Sequence, residues 1–146
     1  MAIPDEALVS RRALSQIGIR LPFFGNLVLF DNVSSARQVR RIRRRLAKSP
    51  DDPGLRLSLA DLLVAEGKNE EALSEWMKAH LQLPFDEDVR DDEAMSQTNA
   101  RAHYVFGLIL ANKGVLEEAT KEWQKASALD KYGIGDLARE KLKGTA

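Results

Sequence analysis

The stretch Gly67 to Ala79, Gly-Lys-Asn-Glu-Glu-Ala-Leu-Ser-Glu-Trp-Met-Lys-Ala, returns from Gly114 to Ala126 as Gly-Val-Leu-Glu-Glu-Ala-Thr-Lys-Glu-Trp-Gln-Lys-Ala. Gly, Glu-Glu-Ala, Glu-Trp and Lys-Ala recur at identical offsets, forty-seven residues apart. A self-similar period of this length marks a supersecondary unit used twice, and it limits the fold more than any composition does. Each copy opens on a glycine, the residue that best adopts the left-handed conformation closing a helix. Each continues with two carboxylates, which suit the positive end of a helix dipole. Both copies therefore read as the turn and second helix of a helical hairpin.

The segments before each copy supply the first helices. Asp52-Pro53 combines an N-cap with a first-turn proline, and Leu55, Leu59, Leu62 and Leu63 carry an apolar face up to Gly67. Asn69 reads as the cap of the partner helix, which Pro84 stops. In the second copy Asn99 is the expected start, and Tyr104, Phe106, Leu108, Ile109 and Leu110 make that helix strongly apolar. A last short helix is expected from Gly135-Asp136 to Lys143, with Arg139, Glu140, Lys141 and Lys143 as the polar outer face of a terminal cap. Between the copies, Asp86, Glu87, Asp88, Asp91, Asp92 and Glu93 crowd a linker. Val89-Arg90 breaks the alternation of oxygen ligands that a calcium loop requires, so a solvated acidic loop is the reading.

Net charge is zero, yet residues 1–50 hold ten Lys/Arg against three Asp/Glu, and residues 51–146 hold twelve against nineteen. The basic excess concentrates in a helix expected from Ser34 to Lys48, with Ser35 and Gln38 as a capping box. Val39, Ile42 and Leu46 form its apolar stripe, while Arg37, Arg40, Arg41, Arg43, Arg44, Arg45 and Lys48 cover the rest. Such density is self-repulsive and calls for a negative neighbour: an external partner or the acidic linker. Ahead of it, Leu21 to Phe30 holds three of the five phenylalanines but is too short to span a membrane as a helix. It reads as core packed on the repeats, with a docking peptide as the alternative. Ser10-Arg11-Arg12-Ala13-Leu14 resembles a twin-arginine export signal, but acid precedes the arginines and Arg20, Pro22 and Asn26 interrupt the apolar run, so a surface helix is favoured.

Taken together, these residues resemble the tetratricopeptide repeat family, whose unit is two antiparallel helices with small residues at their crossing. Ala60, Gly67, Ala72, Trp76, Ala79 and Pro84 match the pattern in the first copy; Gly107, Gly114, Ala119, Trp123 and Ala126 match it in the second. Asn69 and Leu116 stand where the family often has tyrosine, and Lys131 stands where a terminating proline would fall. The spacing exceeds the family's by thirteen residues, which places an insertion in the linker. The resemblance implies an all-α, short right-handed helical-hairpin solenoid with a C-terminal capping helix and an N-terminal basic helix or degenerate unit. Its parts are an N-terminal segment packed on the repeats (1–50), a first unit (51–84), the acidic linker (85–98), a second unit (99–131) and a capping helix (132–146).

In this family the concave face binds partners, which implies Leu57, Asp61, Val64, Arg101, Tyr104, Leu108 and Asn112 as its lining here. Leu57 and Asp61 stand where chaperone-tail binders carry a carboxylate clamp, so that activity is not implied. There is no cysteine, and His80 and His103 have no metal-ligand spacing. No nucleophile elbow or phosphate-binding loop occurs. The carboxylates are expected on loops and solvent faces with nothing to shift their pKa values. The expectation is a non-enzymatic interaction adaptor or assembly subunit with no catalytic residue, no metal and no cofactor. Its partners are expected to be proteins, with an anionic membrane or acidic protein surface as the alternative for the arginine helix and nucleic acid ranked below. Its expected place is cytoplasmic, with a membrane-peripheral variant.

Overall fold

The computed structural model describes the backbone of residues 25–145 and the side chains of residues 35–144. The export-like motif and Leu21 to Phe24 lie outside the described residues. The chain divides into two compact units, Met1–Gln38 and Val39–Ala146, and the second holds both repeats. The described chain is all helical: α1 (Gly25–Lys48), α2 (Pro53–Ala65), α3 (Asn69–His80), a 3-10 turn (Asp86–Val89), α4 (Glu93–Asn112), α5 (Leu116–Leu129) and α6 (Ile134–Thr145). α2 with α3, and α4 with α5, form the two hairpins, and both helices of the first pack against α4.

The local signals explain these boundaries. Asp52 Oδ1 accepts from the Leu55 amide at 3.1 Å, with Pro53 in the first turn of α2. Gly67 and Gly114 take φ of 80° and 82°, which only glycine adopts without cost. The following amides then reach back identically, Lys68 to the Leu63 carbonyl (2.8 Å) and Val115 to the Leu110 carbonyl (2.9 Å). Ala72, Ala79, Ala119 and Ala126 are all fully buried where the paired helices cross. On α1, Leu46 is buried and Val39 and Ile42 pack beside it on the core.

Four expectations need correction. The basic helix does not start at Ser34; α1 is continuous from Gly25, so Ser35 is a helical residue and no capping box forms there. Asn69 does not cap α3; its side-chain amide donates to the Ile109 carbonyl of the next hairpin at 3.2 Å. The second hairpin opens at Glu93, not Asn99, because Asp92 Oδ1 accepts from the Met95 amide and caps the helix earlier. Arg139 is not plain outer surface: it donates to Ser127 Oγ (3.0 Å) and to the Lys131 carbonyl, tying α6 back to α5.

Candidate interaction cleft

The insertion between the repeats is built rather than slack. At twenty residues α4 exceeds the thirteen of α2, and the surplus is an N-terminal extension. Ser96 Oγ donates to the Leu129 carbonyl at 2.8 Å, and Asn99 donates to the Pro84 carbonyl at 2.9 Å and to Asp86 Oδ1 at 3.0 Å. These bonds hold the extension upright against α5 and anchor the 3-10 turn. The loop entering α6 is fixed by Asp130, whose carboxylate accepts from the Tyr132 and Gly135 amides. Glycine at 135 is required, since a Cβ there would fall 1.7 Å from the Asp130 carbonyl oxygen.

The extension and the α6 entry then face one another across an open cleft of about 900 Å³. Ala94, Gln97, Thr98 and Arg101 of α4 form one wall, and Tyr132, Ile134 and Leu137 form the other. Tyr132 is 75% exposed and Leu137 49% exposed, so the second wall presents unburied apolar surface. On the α4 wall, Arg101 also donates to Ser58 Oγ of α2 at 3.2 Å.

Of the seven residues expected on the concave face, Arg101 alone lines this cleft. Leu57, Val64 and Tyr104 are core side chains. Leu108 packs half-buried on the core, while Asp61 and Asn112 reach solvent. α6 packs on α4 and α5, buries Ala138 and sets Ile134 and Leu142 against the core. Although Asp61 reaches solvent, the protein around its carboxyl displaces enough water to raise its pKa above the ordinary value, with the Arg101 and Lys141 charges acting in the opposite sense. Burial likewise raises the Tyr104 hydroxyl, reinforced by the Asp61 charge. Arg37, Arg40, Arg41, Arg43, Arg44 and Arg45 are all exposed on α1, and the one ion pair they make among the described residues joins Arg43 to Glu71 at 3.5 Å. Among the described residues none of them pairs with the acidic linker, the internal alternative to an external partner.

A second polar constellation was missed in the sequence. His103 on α4 places Nδ1 2.7 Å from Glu122 Oε1 on α5 and Nε2 2.9 Å from Asp86 Oδ2 in the 3-10 turn. With a carboxylate at each nitrogen, the imidazole is suited to carry both protons. Burial by itself would lower its pKa, but the bonds and charges of Glu122 and Asp86 outweigh that and raise it. Glu122 is lowered: burial opposes its charge, and His103 and then Lys125 more than compensate. Carboxylates with unshifted pKa values were therefore the wrong expectation at Asp61 and Glu122. The available signal was the repeat itself, since His103 stands forty-seven residues after Arg56, and Glu122 after Glu75. Among the described residues no group of three or more His, Asp or Glu is arranged to hold a metal ion.

A family model described as tetratricopeptide repeat matches residues 32–105, half of the chain. The chain belongs to the tetratricopeptide repeat family. The match runs from within α1 through both helices of the first hairpin and into α4. Comparison with curated proteins and with solved structures gave no match. Tetratricopeptide repeat domains are in general protein-interaction modules, and the family is generally non-enzymatic.

Proposed function

We propose that this tetratricopeptide repeat protein is a non-enzymatic adaptor that holds an extended, apolar-rich segment of a protein partner in the cleft between the α4 extension and the start of α6. The observation that carries this reading is the wall made by Tyr132, Ile134 and Leu137. Tyr132 and Leu137 keep large apolar surfaces in solvent although the core beneath them is filled. A rigid aromatic beside aliphatic side chains is the composition of an interface anchor. Gln97, Thr98 and Arg101 opposite offer polar groups to a bound backbone or side chain. The reading moves the binding surface away from Leu57, Val64 and Tyr104, which the core consumes.

The test uses peptides selected by display on the full chain. Leu137→Glu and Tyr132→Ala should each weaken binding of the selected peptides by about tenfold or more, the scale of a lost interface anchor. Thermal melting should stay close to that of the parent. Peptides that bind both variants as well as the parent would place the interaction elsewhere.

A further inference from the structure

Among the described residues, two surfaces of opposite charge are left unpaired. On α1, Arg40, Arg41, Arg44, Arg45 and Lys48 are exposed and, among the described residues, take part in no side-chain hydrogen bond or ion pair. By helical spacing they share about 140° of arc over about 12 Å, opposite the stripe of Val39, Ile42 and Leu46. Their i,i+3 and i,i+4 neighbours are like charges, each pair mildly destabilising in the free chain. Ahead of α4, the side chains of Glu87, Asp88 and Asp91 are likewise exposed and unpaired among the described residues, with Arg90 the one base among them. Beside these acids Leu81 is 84% exposed and Phe85 75% exposed.

We propose that the cationic face of α1 in one copy docks on the acidic edge around Phe85 in a second copy. The two surfaces match in charge and in chemistry. Guanidinium groups pair with carboxylates in a bidentate fashion and stack on aromatic faces, and four of the five cations are arginine. Leu81 and Phe85 supply the apolar area that an exposed ion pair lacks by itself. Among the described residues no ion pair joins the two surfaces within one copy. A second copy is favoured over a polyanion because residues 51–146 carry nineteen acids against twelve bases. A lipid surface or nucleic acid drawn to α1 would be repelled by that body within the Debye length of about 8–10 Å. A second copy offers both signs and leaves the net charge at zero. Reciprocal engagement of both surfaces closes a dimer, whereas single engagement leaves each end free to extend.

Sedimentation velocity over a concentration series, at low and at high salt, tests this directly. The parent should associate at low salt and return to monomer at high salt. A variant carrying Arg40→Glu, Arg41→Glu, Arg44→Glu and Arg45→Glu should remain monomeric, as should one carrying Glu87→Lys, Asp88→Lys and Asp91→Lys. An equimolar mixture of the two should associate again, because the reversed charges meet across one interface. Helical circular dichroism checks both variants, and if the arginine variant does not fold, the acidic-edge variant alone decides. A parent that stays monomeric throughout the low-salt series would overturn the proposal, as would a folded pair of variants that fails to recover on mixing. A monomeric parent that binds anionic vesicles or duplex DNA through these arginines would overturn it too and assign the face to that ligand.

Discussion

The two repeats carry the same Glu-Trp dipeptide on their second helices but seat it differently. Trp123 donates to the Tyr104 carbonyl of its own hairpin at 3.2 Å. Trp76 reaches forward to the Ala102 carbonyl of the next hairpin at 2.8 Å and stacks on Phe106 with ring centroids 4.1 Å apart. The two hairpins also differ by one methyl group at the crossing of their helices. Gly107 lies under the Trp123 ring, where a Cβ would fall 2.3 Å from the indole nitrogen. Its counterpart in the first hairpin is Ala60, fully buried, which carries the methyl that Gly107 lacks. One tryptophan thus holds a hairpin together, and the other holds two hairpins to each other.

The glutamate of the dipeptide shows the same division. Glu75 accepts from Arg56 at 2.8 Å, and Arg56 also donates to the Pro50 carbonyl in the preceding loop. Glu122 is bound by His103, which also binds Asp86 in its own preceding segment. In both hairpins a cation on the first helix ties the second helix to the loop before it. The first hairpin uses a permanent charge and the second a titratable one, so acidity acts on the two unequally.

The largest expected effect is at the tryptophans. Trp123→Ala and Trp76→Ala should each cost about 3–5 kcal/mol, the range for a large aromatic removed from a core. If the division of roles is right, Trp76→Ala should also broaden thermal unfolding, because it loosens one hairpin from the other. Identical, equally sharp transitions in both variants would break the comparison.

Next in size is Gly107→Ala, expected to destabilise by about 1–3 kcal/mol through overpacking against the Trp123 indole. Adding Trp123→Phe should make the alanine cheaper to accommodate, since the smaller ring vacates that space. A double-mutant cycle with no coupling would mean the close approach is not what the glycine provides.

The histidine comparison has a pH signature. The folded pKa of His103 is raised, so its contribution is fully present below the unfolded value of about 6.5 and is lost as pH rises through the folded value. Glu122 is lowered, so its contribution is present above its unfolded value of about 4.3 and disappears as pH falls through the folded one. Stability from this pair should therefore peak between the two transitions. His103→Arg should remove the alkaline-side loss, and Arg56→His should introduce one in the first hairpin. Denaturant melts across pH 5–9 read both, with shifts of about 1–3 kcal/mol for a charged hydrogen bond.

The smallest effect concerns Asn69, which spans the hairpins where the second repeat has Leu116. Asn69→Leu should cost about 1 kcal/mol or less, because the Ile109 carbonyl keeps its bond from the Lys113 amide. A loss on the scale of the tryptophan variants would mean that this bond, rather than Trp76, carries the junction.

The sequence by itself determined the all-helical fold, the two hairpins, the glycines that end their first helices, the Asp52 cap and the burial of the repeated alanines and tryptophans. These follow from local conformational preference and from a period that reads the same wherever it occurs in the chain. The tertiary structure alone decided where Trp76 turns, what holds His103, and that thirteen inserted residues extend a helix and raise a cleft wall instead of forming a loose acidic linker. It also decided that Leu57, Val64 and Tyr104 are core side chains. Each of these outcomes depends on which atoms of a distant segment arrive beside a side chain. The Ala102 carbonyl that receives Trp76, a carboxylate at Asp86 or the Leu129 carbonyl has no local pattern to announce it, and its effect exists only once the helices are packed.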